Sequence, residues 1–268
     1  MSLRPTVRPT ARRETLAQFL EKIGEFGSFV ALFFREGFGR PWEGRELLRQ
    51  MDEVGTRSFL LTGVTGLAIG AVLAMQSRGT LVQFGAEAML PNMLALSIIK
   101  EIGPVMTALV LAGRLGAGIG AEIGSMRVTE QIDALEVMAL RPLNYLVVTR
   151  VLACFIMFPV LTIWTDALGL FGGYLESALA AQTDPRLFLD TAFTSLRFSD
   201  VLVDTMKTSI FGAIVGLVSC FLGFNVRGGT RAVGQAAMQS VVASSVLVIL
   251  ADVFVVRLSL LIFGDVAS

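Results

Sequence analysis

Histidine is absent from all 268 residues, so the commonest general base and the commonest metal ligand are both missing. Cysteine is nearly absent: Cys154 and Cys220 each fall inside a long apolar run. Two such residues supply neither a disulfide framework nor a metal-binding spacing, and they read as small core side chains. Charge is scarce, at 16% of the chain, and 22 basic residues balance 22 acidic ones. No GxxxxGK[ST] occurs, so the chain does not itself hold nucleotide through a P-loop. Neither a Gly-x-Ser-x-Gly elbow nor an HExxH is present. Any energy source must therefore be another subunit or an ion gradient. No cleavable signal pattern is visible at the start, because no apolar stretch follows the first basic residues directly. No internal repeat is apparent, which counts against an inverted-repeat secondary transporter.

What the chain has is apolar sequence. It is 54% hydrophobic with a mean hydropathy of +0.70, too greasy for a soluble domain of this length and in keeping with a polytopic membrane protein. Ten basic residues, from Arg4 to Arg57, precede the first long apolar run, which places the N-terminus in the cytoplasm by the positive-inside rule. Residues 1 to about 11 read as a disordered basic tail. From Glu14 to about Phe38, Leu16, Phe19, Leu20, Ile23, Phe26, Val30, Phe33 and Phe34 recur at helical spacing, predicting an amphipathic helix in the membrane interface. A soluble helix packed on another subunit is the alternative. Pro41 ends it, and Trp42 follows as an interfacial anchor.

Five spans are expected after it, at roughly Ser58–Met75, Pro91 past Gly120, Leu143–Tyr174, Val201–Phe224 and Val241–Phe263. GxxxG pairs at Gly66/Gly70 and Gly212/Gly216 predict close helix contacts, and Gly103-Pro104 predicts a kink or interruption in the second span. A small extracytoplasmic helix is expected near Asp184-Pro185. Between the second and third spans, about Ser125 to Arg141 reads as one polar amphipathic helix with Ile132, Leu135 and Met138 near one face. Such a helix suits either a partner's groove or the lipid headgroups. Five crossings place the C-terminus outside, and the polar helix and the Arg227–Arg231 turn inside.

Charge at membrane depth costs at least about 2.5–3.5 kcal/mol, so Lys100, Glu101, Lys207 and Asp252 require a reason. Either they line a water-accessible cavity and meet a polar headgroup, or they pair with one another and hold the bundle together. Asp166 and Arg257 are weaker candidates of the same kind. Two further functional classes remain open on these residues: an ion-coupled secondary transporter with Glu101 and Asp252 as relay, and a non-transporting membrane scaffold for an ATPase.

The run from Lys100 to Ala153 carries a more specific signal. Glu101, Gly103-Pro104, Ala112-Gly113-Arg114, Ala121-Glu122-Ile123-Gly124 and Val128-Thr129-Glu130-Gln131-Ile132-Asp133-Ala134-Leu135, continuing through Met138, Pro142, Tyr145-Leu146-Val147 and Arg150, resemble the MlaE/YrbE family, the permease subunits of Mla-type ABC lipid transporters. Lys100 stands where an arginine is usual, keeping the charge but losing the bidentate fork, and Thr149 stands where proline is common. The resemblance implies an all-α membrane protein: five transmembrane helices, an N-terminal interfacial amphipathic helix and a cytoplasmic coupling helix. It implies a single permease domain over 1–268, with the tail and interfacial helix in 1–50 and the five-helix bundle in 51–268.

It further implies a homodimer, two cytoplasmic ABC ATPase subunits that carry ATP and Mg (no cofactor on this chain), a hexameric extracytoplasmic MCE-domain partner and, in some systems, a STAS-domain partner. No nucleic acid is involved. The cargo would be phospholipid, moved between a Gram-negative inner membrane and periplasmic carriers. The ATPase-coupling residues would be Glu122, Arg127, Thr129, Glu130, Gln131, Asp133, Leu135 and Glu136. The lipid cavity would take Leu73, Gln76, Leu81 and Phe84 from the first span and the turn after it, Leu247 and Leu250 from the fifth, and Lys100 and Glu101 at its polar rim.

Overall fold

A computed structural model describes residues 11–37, 44–138, 141–194, 196 and 198–263. The basic tail, the Pro41–Trp42 anchor and residues 264–268 lie outside them, as do the side chains of Leu16, Phe19 and Leu20. The chain divides into two units, one ending at Trp42 and the other starting at Glu43. The described residues of the first form a single helix, α1 (Ala11–Gly37), in which Phe33 and Phe34 meet edge to face at 5.3 Å.

The second unit is helical throughout its described residues. Five of its helices are long and apolar enough to cross a membrane: α2 (Gly44–Gln83), α3 (Glu87–Val128), α5 (Leu143–Ala181), α7 (Phe198–Phe224) and α8 (Thr230–Phe263). Two short helices join them, α4 (Gln131–Val137) and α6 (Pro185–Phe193). Asp184 caps α6, its carboxylate accepting from the Arg186 amide at 2.8 Å, where the sequence predicts a small helix.

The spans outrun their apolar stretches. α2 begins at Gly44, not near Ser58, because the intervening charges pair along the helix: Arg49 with Glu46 at 2.8 Å and Arg57 with Glu53 at 2.7 Å. α8 likewise starts at Thr230 instead of Val241. Hydropathy marks membrane depth, whereas the helix continues wherever neighbouring turns support it.

α2 and α5 run parallel and touch backbone to backbone. A Cβ on Gly70 would lie 1.8 Å from the Gly169 carbonyl oxygen, and one on Gly172 would lie 2.2 Å from that of Leu67. Phe59 stacks on Trp164 with centroids 4.1 Å apart, while the indole Nε1 donates to the Phe59 carbonyl at 3.1 Å. Gly212 and Gly216 do the same for α7 against Cys154 and Val151 of α5. Both predicted GxxxG pairs are therefore crossing points. The core between α3, α5 and α7 is filled by Leu111, Ile123, Val151, Phe158, Phe211 and Val215.

Two departures concern α3 and the segment after it. Gly103-Pro104 does not interrupt the span. The chain widens into a π-helical turn over Ile98–Ile102, with the Gly103 amide bonded to the Ile98 carbonyl, and continues as helix. A second such turn covers Ala112–Gly116. The predicted single helix from Ser125 to Arg141 is in fact broken. α3 ends at Val128, and Glu130 takes a left-handed conformation (φ 58°) before α4 begins. Thr129 Oγ1 closes the end by donating to the Ser125 carbonyl at 2.8 Å. The Arg127–Asp133 ion pair, 2.6 Å, spans the break. Because of it, the apolar face splits: Ile132 is buried and Leu135 half-buried, but Met138 is exposed.

Candidate functional site

Pro104 begins the site. Proline has no amide hydrogen, so the carbonyl four residues earlier, that of Lys100, has no α-helical donor. The Lys207 ammonium supplies one, donating to that oxygen at 2.8 Å. Lys207 is almost wholly buried, with its side chain 2% exposed, and α7 places its Nζ at a junction of three carboxylates. Glu101 Oε2 lies at 3.1 Å, Asp252 Oδ1 at 3.4 Å and Asp204 Oδ1 at 3.9 Å. The Glu101 contact is a hydrogen bond. The Asp252 contact is Coulombic only, since its Oδ1 accepts none.

Lys207, Glu101 and Asp252 are thus brought together as the sequence allows, and the pairing is structural for the lysine. Glu101 differs, because its side chain remains 48% exposed. It presents a carboxylate to its surroundings while anchored on a buried cation. Lys100, half-buried on the preceding turn, also contributes its carbonyl. Asp166 lies nearby, its Oδ1 against Gly103 where any Cβ would sit 1.7 Å away. That oxygen has no hydrogen-bond partner among the described residues. Arg257 is exposed on α8 and takes no part.

The cavity residues implied by the resemblance divide in two. Leu73 and Leu81 pack against a buried cluster that includes Ala74, Leu94, Ile98 and Phe188. Gln76, Phe84, Leu247 and Leu250 stand on the surface of the single chain.

At the opposite end of the bundle the residues that the resemblance implies for ATPase coupling form one continuous display. Glu122, Arg127, Thr129, Glu130, Gln131, Asp133 and Glu136 are exposed, with Leu135 half-buried among them. Glu122 fixes the display to the bundle by accepting from Arg150 Nη2 at 2.7 Å, with Arg150 itself 2% exposed. Arg150 and Arg114 were legible in the sequence only as motif members, without a role. The available signal was their position in apolar sequence, which demands buried partners for a guanidinium. Arg114 finds the hydroxyl of Ser58 and the backbone of Glu53 on α2.

Residues 47–258 match the family model described as Permease MlaE. The intermembrane phospholipid transport system permease protein MlaE of Haemophilus influenzae is 36% identical over 244 residues, covering 90% of this chain and 92% of that protein. A probable ABC transporter permease protein of Rickettsia typhi is 34% identical over 241 residues, covering 90% and 93%. The chloroplastic protein TRIGALACTOSYLDIACYLGLYCEROL 1 of Arabidopsis thaliana is 32% identical over 208 residues, covering 78% and 59%.

Proposed function

This chain belongs to the MlaE permease family, and from that premise we propose that it moves phospholipid between a Gram-negative inner membrane and periplasmic carriers, maintaining outer-membrane lipid asymmetry as half of a homodimeric ABC permease. The observation that carries the reading is the exposed carboxylate of Glu101 on a buried Lys207, beside the least buried spans. In the most apolar stretch of α8 only 11% is buried, and in α2 33%, against 67% in α7. Apolar helix faces suit acyl chains, and the charged node suits a headgroup, so a cavity between two copies would have both walls and rim. Leu73, Gln76, Leu81, Phe84, Leu247 and Leu250 would line it, with Lys100 and Glu101 at the polar end.

Two ATPase subunits, carrying ATP and Mg, would grip the exposed segment from Glu122 to Glu136. An MCE-domain hexamer would sit at the opposite, extracytoplasmic face, with a STAS-domain protein as an additional partner. The N-terminus and the α4 end would be cytoplasmic and the C-terminus periplasmic. The ion-coupled and scaffold alternatives draw no support from the node, whose lysine is held by the Lys100 carbonyl and Glu101.

Native mass spectrometry of the complex purified from its own operon tests this. Two copies of the chain with two ATPase chains and bound phospholipid are expected. Glu130→Lys with Asp133→Lys should release the ATPase and leave the dimer. A lipid-free monomer without an ATPase would overturn the proposal.

A further inference from the structure

A second polar chamber lies far from the Lys207 node, where α2 passes from its charged first turns into apolar sequence. It encloses about 270 Å³, and its polar wall is made by Gln50, Glu53, Arg114, Glu122 and Arg150, with Gly118 facing it. The charged stretch of α2 ends at Arg57 and the apolar run starts at Ser58, so the chamber sits at the depth where a bilayer's hydrocarbon gives way to headgroups.

Its charges are incompletely matched. Arg150 is 2% exposed and uses Nη2 on Glu122 at 2.7 Å and Nη1 on the Leu146 carbonyl at 3.0 Å, but its Nε has no partner among the described residues. A buried donor left in that condition costs about 1–3 kcal/mol. Arg114 donates to the Ser58 hydroxyl and, at 3.4 Å, to the Glu53 carbonyl. It meets no carboxylate among the described residues. On the other side, Glu122 has one oxygen engaged and is 48% exposed. Glu53, 39% exposed, pairs with Arg57 at 2.7 Å.

Two guanidiniums and two carboxylates facing one space sum to zero. A lone anion would gain Arg114 but meet Glu53 and Glu122, and a lone cation would meet the reverse. A group that carries both signs a few bonds apart suits both. We propose that this chamber binds a phosphoethanolamine group, with its phosphate on Arg114 and its ammonium on Glu122 and Glu53. A primary ammonium donates hydrogen bonds to the carboxylates. A trimethylated choline has no hydrogen to donate and is bulkier, so the chamber discriminates against it. The site is separate from the cavity between copies, and it stands or falls without reference to transport.

Gly118 gives a clean probe, because a Cβ there meets nothing within 4 Å, so a larger side chain enters the chamber without displacing the backbone. The test titrates palmitoyl-oleoyl phosphatidylethanolamine, phosphatidylcholine and phosphatidylglycerol into the full-length chain in detergent and reads lipid adducts by native mass spectrometry. Phosphatidylethanolamine is expected to bind at least tenfold tighter than the other two. Gly118→Leu and Arg114→Gln should each abolish that preference. Gly79→Leu, likewise in open space but on a distant turn of α2, should retain it. Arg114→Gln answers the question should Gly118→Leu fail to fold.

Water-soluble glycerophosphoethanolamine separates the two sources of the group. Displacement of the lipid only at a large molar excess identifies a membrane-borne headgroup. Binding equal to the lipid's identifies a ligand taken from solution, with the same chemical recognition. Equal retention of phosphatidylglycerol, or phosphatidylethanolamine binding unchanged in both chamber variants, would overturn the proposal. Neither outcome bears on ATPase assembly or on the dimer, so failure here is distinguishable from failure of the permease reading.

Discussion

Lys207 pairs with three carboxylates and caps the carbonyl that Pro104 leaves bare. Removing it takes the cation from Glu101 and Asp252 and the donor from that carbonyl at once. Breaking a buried pair by deleting one partner costs about 3–5 kcal/mol, and the lower end applies because Glu101 stays half exposed. Lys207→Met should therefore lower the unfolding temperature in detergent by about 6–12 °C, at about 2–4 °C per kcal/mol for a unit of this size. Lys207→Met combined with Glu101→Gln and Asp252→Asn should recover most of the loss, since the two nearest stranded charges are then gone. Heating followed by fluorescence-detected size exclusion measures both, and an unchanged midpoint in the single variant would show that the node contributes nothing to stability. Lys207, Glu101 and Asp252 were legible in the sequence as charges that membrane depth does not tolerate alone, whereas Asp204, near the start of its span, was missed. Who meets whom was not, because that depends on the rotational phase of three helices distant in sequence. The link from Pro104 to Lys207 joins two helices far apart in the chain through a missing hydrogen.

Among the elements, α2 and α5 show how little room the fold leaves. Gly70 faces a backbone carbonyl, which cannot swing aside as a side chain can. Gly70→Val should force the two helices apart and reduce the yield of monodisperse protein severely, while Gly79→Val, with open space around it, should leave the yield unchanged. Equal yields would mean that the α2–α5 contact is dispensable. The five spans were legible from apolar length and the two GxxxG contacts from spacing, since these depend on composition and period. Helix ends were not, because charged turns such as 44–57 sustain themselves by local pairs. The break at Thr129-Glu130 was hidden too. Neither residue is a helix breaker, and a left-handed glutamate, which costs roughly 1–2 kcal/mol against the right-handed form, is held there by the Thr129 bond and the Arg127–Asp133 bridge.

For the whole molecule, burial is graded across the bundle, from 67% in the apolar stretch of α7 to 11% in that of α8. An outer helix with so little cover is the natural seam for a second copy. Cys154 and Cys220 are completely buried, so a single surface cysteine can be introduced without removing them. Leu250→Cys on α8, where leucine is 60% exposed, should form a disulfide-linked dimer in membranes under mild oxidation. Ile163→Cys on α5, at 58% exposure, should remain monomeric on a non-reducing gel. The opposite pattern would place the seam on the α5 side. Exposure alone does not separate these two positions, so the contrast reports on assembly.

The left-handed residue between α3 and α4 also sets what kind of mechanical input the bundle can receive. A continuous rod welded to α3 would transmit twist as well as thrust. A two-turn strut set off from α3 by one left-handed residue, tied across the break by the Arg127–Asp133 pair and seated by the buried Ile132, would pass thrust more readily than twist. With Glu122 strapped to Arg150, that thrust is delivered to α3 and α5 together, so a motor pushing on the strut would displace these two helices as one piston and would not unscrew them from each other.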